Sequence, residues 1–291
     1  MFREVPFVVG HSESKVVRVR PHVAEAITLF DAHVHVYEGA DVEGLLNAAA
    51  GHFHKTATGV GASVWRGVLF LTEFAGTSWF ETVAGAHDGR KFGAWRITGV
   101  PTDPLSLEAR SETDSLHIVA GRQIVTSERI EVHALGTREA IPDGMELPAT
   151  VRTVQAVGAL AVLPWGAGKW LGKRGRLVAA MLASADSGLF VSDNSGRPWL
   201  WRDPLLARLR AAGRPILRGS DPLPLHAEER RVGAFGCWIE GADRVAAERL
   251  IARIRNCPAK DLYDYGAGES TWRFLRNQVL LRLKSSKCEF S

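Results

Sequence analysis

The chain has 291 residues, 46% of them hydrophobic, so it can form a sizeable core without disulfide or metal staples. Its formal net charge of +4 comes from scattered basic residues, which permits nucleic-acid binding but does not argue for it. The three cysteines, Cys237, Cys257 and Cys288, are widely spaced and include no Cys-x-x-Cys pair, so neither a disulfide framework nor a zinc ribbon is indicated.

No targeting or membrane-spanning segment is predicted. The N-terminus, Met1 to Val5, contains an early acid and lacks the long apolar stretch of a signal peptide. No apolar run reaches the length of a membrane helix. Together with the cysteine usage, this favours a cytoplasmic protein with no membrane partner.

Short β-rich runs alternate with helical stretches, a pattern typical of a parallel sheet with crossover helices. The first strand is predicted at about 27–37, and a helix follows from its N-cap Asp41 to about Ala50. The next strand is predicted at 67–72. Between 94 and 135 neighbouring strand patterns replace the alternation, which predicts a hairpin or a small antiparallel excursion.

Regular alternation resumes after a predicted loop at about 136–148. The elements expected there are helix 149–157, strand 159–163, helix 173–184, strand 189–191, a helix from Pro204 to Gly213 and strand 216–218. The last third is more helical. Leu250, Ile251 and Ile254 recur at helical spacing before Pro258, and Ser270 is a suitable cap for a final helix to about Leu283.

The most informative motif ends the first predicted strand, at Asp31-Ala32-His33-Val34-His35. Histidines two residues apart on a strand point the same way, so both can bind one metal ion, and neutral imidazole suits zinc, iron or manganese-type sites. Asp31 lies on the same face and could orient one imidazole through a hydrogen bond. The alternative is that the histidines occupy a solvated strand end.

Polar residues also follow the other predicted strands. If the strands form a β/α barrel, their carboxyl ends meet at one face, and the active sites of such barrels lie at that face. Each polar segment also has the composition of an ordinary turn, so only the set as a whole favours a site. The candidates at these ends are Glu73, His133, Trp165, Lys169, Asn194, Arg218 and Asp221.

Residues 165–176 combine glycine, basic residues and tryptophan. Such a segment can bring backbone amides and the Lys169 cation to a phosphate or carboxylate, although its spacing is not that of a Walker A loop. Tryptophan faces beside cations suit the binding of a ring and an anion. The alternatives are a helix start with a solvated basic face, and tryptophans that belong to the core.

Three segments in this order resemble the PHP (polymerase and histidinol phosphatase) family. They are the motif at 31–35, the stretch 120–136 and Gly219-Ser220-Asp221. The wider amidohydrolase superfamily shares the first and last. The resemblance covers about residues 27–225, and its first motif is the specific one. It implies a distorted β/α barrel, a cluster of divalent metals and phosphoester hydrolysis by metal-activated water.

The chain departs from that family at several ligand positions. Gln123 stands where the family has a bridging glutamate, and Glu73-Phe74 where it has Asp-His. Pro164-Trp165 replaces a His-Pro element, and Asp221-Pro222-Leu223 replaces Asp-x-His. The ligands that carry over are His33, His35, His133 and Asp221, with Glu73 as a substitute. The sequence therefore predicts one divalent ion (zinc, manganese or iron) or none.

We accordingly expect one domain over residues 1–291, a distorted TIM-like, PHP-type β/α barrel with an antiparallel excursion and a helical C-terminal extension at about 243–291. The function predicted is that of a metal-dependent hydrolase, phosphoesterase-like, acting on a small anionic or phosphorylated substrate. Asp221, Glu73 and Lys169 are its expected catalytic residues. Trp165, Lys169, Asn194 and Arg218 are expected to bind substrate. The alternative is a catalytically retired barrel that binds a ligand or partner.

Overall fold

A computed structural model describes residues 24–183 and 188–288 of the chain. The predictions made for Met1 to Val5, for Ser184 and for residues 289–291 lie outside these residues. The helices are α1 (Val42–Val60), α2 (Trp79–Ala84), α3 (Leu147–Ala156), α4 (Gly172–Ala183), α5 (Pro204–Ala211), α6 (Ala247–Arg255) and α7 (Thr271–Cys288). The strands are β1 (Ala26–Val34), β2 (Val64–Leu71), β3 (Arg90–Phe92), β4 (Trp95–Val100), β5 (Asp103–Arg110), β6 (Ser115–Val119), β7 (Gly121–Val125), β8 (Glu131–Leu135), β9 (Leu160–Pro164), β10 (Leu189–Asn194), β11 (Ile216–Gly219), β12 (Gly236–Glu240) and β13 (Tyr263–Tyr265).

The strands form two separate sheets. The larger has eight strands in the order β13-β12-β1-β2-β6-β5-β4-β3, and the smaller has five in the order β11-β10-β9-β8-β7. Both are mixed. In the larger sheet β1, β2 and β6 run parallel, while β12 is antiparallel to β1 and β5 to β6. In the smaller sheet β9, β10 and β11 run parallel, and β7 and β8 pair antiparallel.

The predicted closed barrel is therefore wrong. A TIM-type barrel needs one continuous ring of parallel strands, whereas the chain passes at Ala120 from the larger sheet to the smaller one, and each sheet keeps two edge strands. The alternation of strands and helices is predicted correctly for β1, α1 and β2 and again from α3 to β11, whereas α2, β3, β12 and β13 are not predicted. It did not reveal that β12 returns antiparallel beside β1.

Apolar side chains fill three layers around the sheets. One cluster joins the larger sheet to α1, and a second joins the smaller sheet to α3, α4 and α5. The third lies between the sheets and includes Phe30 and Phe70 from the larger one and Leu160 and Leu217 from the smaller one. This inner cluster fixes the end of β1 beside the end of β11, which positions the site described below.

Local sequence signals explain several element boundaries. Asp41 caps α1 by accepting the Gly44 N–H, and α1 ends at Gly61, whose φ of 77° favours glycine. Asp203 caps α5, which opens with Pro204 as predicted. The antiparallel excursion expected between 94 and 135 is present as β4 to β8. Among the described residues, no helix is long and apolar enough to cross a membrane.

Candidate metal centre

The ends of β1 and β11 bring three predicted residues together. His33 lies in β1, His35 directly follows it, and Asp221 follows β11. The backbones touch: the Asp221 N–H donates to the His33 carbonyl at 2.9 Å, and a Cβ added to Gly219 would lie only 2.3 Å from the Cβ of His33. Gly219 is thus required by this close approach. Asp221 itself has a φ of 49°, a backbone region that few residues other than glycine adopt.

Three ligand-type atoms form a compact triangle at this point. The Nε2 atoms of His33 and His35 are 3.0 Å apart, and Asp221 Oδ1 lies 3.3 Å from the first and 3.6 Å from the second. Atoms that share one ion at about 2.0–2.2 Å lie roughly 3.0–3.5 Å from one another. The three side chains therefore have the geometry and the donor chemistry of a metal-binding group.

Neighbouring groups hold this triangle in place. The Asn194 side-chain N–H donates to Asp221 Oδ2 and to the Trp165 carbonyl, both at 2.9 Å, which leaves Oδ1 facing the histidines. The other ring nitrogen of His35 lies 3.4 Å from Thr72 Oγ1. Such second contacts fix the orientation of ligand side chains. Asn194, which the sequence predicts to bind substrate, is positioned to orient Asp221.

Asp31 has a different role from the one predicted. Its carboxylate does not contact an imidazole but accepts the backbone N–H groups of Ser220 at 2.8 Å, Gly233 at 2.9 Å and His33 at 3.2 Å. Burial raises the pKa of Asp31 to about 6, although these hydrogen bonds favour the ionised form. Asp31 therefore ties the end of β1 to the segment that carries Asp221.

The electrostatics of the centre are set mainly by burial. Removal from water lowers the pKa of His33 well below its usual value, and the neighbouring His35 and Lys169 lower it further. The pKa of His35 is also lowered by burial, while Asp221 acts in the opposite direction. Burial raises the pKa of Asp221 against the influence of His35 and Lys169. Burial therefore favours the neutral form of both imidazoles, which is the form that ligates metals.

His133 lies beside the triangle but outside it. Its ring centroid is 4.2 Å from that of His33, and its Nε2 is 3.1 Å from Gln123 Oε1. Gln123 is paired with His133 across β7 and β8. Gln123 therefore contacts His133, and the His133 ring in turn contacts His33. Among the described residues, Nδ1 of His33 and of His133 has no hydrogen-bond partner.

Two other predicted residues are engaged elsewhere. The Glu73 carboxylate pairs with Arg122 at 3.0 Å and accepts the Phe80 N–H at 2.9 Å, so it anchors the start of α2. Arg218 pairs with Asp264 at 2.9 Å and stacks 4.7 Å from the Phe235 ring. Both side chains satisfy their charge away from the histidines. The structure therefore does not bring them into the three-residue group.

The two predicted residues after β9 differ in placement. Trp165 is buried in the outer core of the smaller sheet, and its indole N–H donates to Asp203 at 3.0 Å. Lys169 donates to the Glu131 carboxylate and lies close enough to lower the pKa of His33, His35 and His133. Of this pair, only Lys169 acts on the centre.

Two aromatic rings beside the centre, those of Tyr37 and Phe74, are not among the predicted site residues. The Phe74 ring stacks on His35 at 4.5 Å with an interplanar angle of 7°, and the Tyr37 ring lies 5.6 Å from His35. Tyr37 follows His35 by two residues and so continues the alternation of the motif. That spacing was the signal available in the sequence. Phe74 stands where the PHP family has a histidine, which was the signal for its place beside the centre, but its stacking on His35 is seen only in the structure.

Comparison with known proteins identifies a similar fold but does not identify a family. No protein-family model and no curated protein matches the chain. Among solved structures it is similar to PsfC from Pseudomonas syringae PB-5123, with a TM-score of 0.53 at 13% identity over 89% of this chain and 99% of PsfC. It also matches the lesion-specific endonuclease PfuEndoQ from Pyrococcus furiosus, with a TM-score of 0.45 at 11% identity over 82% of this chain and 57% of the endonuclease. The similarity to PsfC shows a shared fold.

Proposed function

We propose that the chain is a metal-dependent hydrolase that holds one divalent ion through His33, His35 and Asp221 and acts on a phosphoester. The observation that carries the proposal is the triangle of Nε2, Nε2 and Oδ1 atoms, with edges of 3.0, 3.3 and 3.6 Å. Two imidazoles and one carboxylate suit zinc, manganese or iron. Three protein ligands leave further coordination positions for water and substrate, as catalytic sites require.

The chemistry follows from what surrounds these ligands. An ion bound there would act as a Lewis acid and lower the pKa of a water molecule. Asn194 holds Asp221 with one oxygen turned to the histidines. Lys169 supplies the positive charge that an anionic substrate needs, and it is half-exposed beside the centre while paired with Glu131. The resemblance to the PHP family supports a phosphoester rather than another hydrolysable bond.

A second candidate is a protein that binds a metal or ligand without catalysis. The contact between Gln123 and His133 favours this candidate. His133 is a third imidazole near the centre, and its Nε2 atom is engaged by the neutral amide of Gln123. A neutral amide contributes no negative charge to a cationic centre, so a cluster of several ions is disfavoured. This candidate keeps the ion at His33, His35 and Asp221 but predicts no turnover.

The two candidates differ in a hydrolysis assay. The metal-loaded protein is incubated with p-nitrophenyl phosphate and with bis-p-nitrophenyl phosphate, in parallel with the His35→Ala variant. The hydrolase proposal predicts release of p-nitrophenol that requires the added ion and disappears in His35→Ala. Turnover that persists in His35→Ala would contradict it. Metal binding without turnover of either ester would favour the non-catalytic candidate.

A further inference from the structure

Helix α7 exposes an apolar face. Trp272 is 78% exposed and is followed on the same side of the helix by Leu275, Val279 and Leu283, at 52%, 56% and 57% exposure. These positions are 3, 7 and 11 residues after Trp272, so they form one continuous stripe. Leu280 borders it at 39% exposure. We call these five residues the apolar face of α7.

The opposite side of α7 binds the protein through polar contacts. Arg273 donates to Glu228 at 3.1 Å and approaches Glu269 at 3.5 Å, and Asn277 donates to Glu228 at 3.4 Å. Helices of soluble proteins usually bury their apolar stripe and expose the polar one. The inner side of α7 makes these polar contacts and the ring contact of Phe274 with Trp201, while its continuous apolar stripe is exposed, so the apolar face of α7 is arranged for a partner outside the fold.

A neighbouring loop extends this surface. Trp199 and Leu200 are 57% and 63% exposed, and the Trp199 N–H donates to the Glu269 carbonyl just before α7. The Trp201 ring contacts Phe274 of α7 edge-on at 6.1 Å. The loop is therefore packed against the start of α7, and tryptophans project from both segments.

Charge selects among possible partners. The sequence of α7 contains Arg273, Arg276, Arg282, Lys284 and Lys287 and no acidic residue. Arg276 and Arg282 are exposed on the same side as the apolar face. A second copy packed on this face would bring like charges together, which opposes association. Leucine, valine and tryptophan beside arginine are instead the composition of helices that lie on anionic membranes.

We propose that the apolar face of α7 docks on the surface of an anionic lipid bilayer, with Trp272 and the leucines entering the headgroup region and Arg276 and Arg282 contacting lipid phosphates. The proposal concerns a surface contact and does not depend on the metal centre. It differs from the sequence-based expectation of no membrane partner, which was derived from the lack of a spanning segment. The search for a spanning segment tests only for a long apolar run, so it gives no information on which side chains of α7 are exposed.

The experiment is co-sedimentation of the full-length protein with vesicles. One set contains phosphatidylcholine alone and the other adds phosphatidylglycerol. Binding is expected to the anionic vesicles, to weaken in high salt, and to shift tryptophan fluorescence to shorter wavelength. The Trp272→Ser/Leu283→Ser variant should lose roughly tenfold or more in partition coefficient. The matched control Val157→Ser, which removes an exposed apolar side chain at the end of α3, should bind like the wild type.

A charge pair completes the test. Arg276→Glu should weaken binding to anionic vesicles by roughly tenfold, whereas Arg152→Glu, an equal charge change at an exposed position of α3, should have an effect within about twofold. The proposal is overturned if the wild type ignores anionic vesicles or if Trp272→Ser/Leu283→Ser binds them equally well. It is also overturned if sedimentation velocity shows a dimer that this double variant abolishes and no vesicle binding occurs, because a second copy would then occupy the face.

Discussion

Replacing Asn194 by alanine tests how the candidate metal centre is organised. The side-chain amide makes two hydrogen bonds of 2.9 Å, one to the neutral carbonyl of Trp165 and one to the Asp221 carboxylate. A bond to a neutral acceptor contributes about 1 kcal/mol and one to an ionised acceptor about 1.5–3 kcal/mol. Asn194 Oδ1 has no partner among the described residues, and its removal offsets part of the loss. We expect the free energy of unfolding to fall by about 1–3 kcal/mol.

The same substitution should weaken metal binding specifically. Without the Asn194 amide, Asp221 Oδ1 is no longer held towards His33 and His35, and losing a contact that orients a ligand typically costs about 10–100-fold in metal affinity. Calorimetric titration of chelator-treated protein with Zn²⁺ or Mn²⁺ gives the affinity, and urea unfolding gives the stability.

The matched control is Asn277→Ala, which removes another buried amide that donates to a carboxylate, in α7. It should lower stability without changing the metal Kd. If Asn194→Ala lowers stability but leaves the metal Kd within about twofold of the wild type, Asn194 is a structural residue and the assigned orientation of Asp221 is wrong.

Two further predictions concern Gln123 and His117. Gln123→Glu should tighten divalent-metal binding by roughly tenfold, because it adds a negative charge one imidazole ring from the triangle, and an unchanged affinity would refute our placement of Gln123. Burial and the Arg66 cation lower the pKa of His117 to about 4, so between about pH 6.5 and 4 the unfolded chain binds a proton that the folded chain does not. Stability should therefore fall as pH decreases through this window, by up to about 3 kcal/mol. His117→Gln should flatten that part of the urea-unfolding profile, and an unaltered slope would contradict the assignment.

Much of the local structure could be predicted because it depends on neighbours in sequence. The cap at Asp41 and the start of α5 at Pro204 follow from side-chain chemistry within a few residues. Ser270 likewise accepts the Arg273 N–H at the start of α7, as expected. The strand β12 could not be identified as a neighbour of β1, because their pairing joins residues about two hundred positions apart. That long-range pairing is what distinguishes two mixed sheets from the predicted barrel.

The candidate site also combines features that follow from neighbouring residues in the sequence with features that depend on tertiary contacts. The histidine pair could be read from its spacing, because alternate residues of a strand share a face. The same rule does not predict the contacts of the Asp31 carboxylate. The β1–β2 register shifts between Asp31 and Val34. The Asp31 carboxylate accepts backbone N–H groups and does not contact an imidazole. Glu73, Arg218 and Trp165 satisfy their polar groups with Arg122, Asp264 and Asp203, respectively. Such tertiary partners have no signature in a single sequence.

The most direct test of the central claim is the metal content of the protein after purification without chelator. The account predicts about one equivalent of zinc, manganese or iron per chain, as expected for a single three-ligand site. This metal should be lost in His35→Ala and retained in His87→Ala, which changes a fully exposed histidine. Metal at background level in the wild type, or equal metal in the wild type and His35→Ala, would contradict the assignment of His33, His35 and Asp221 as a metal centre.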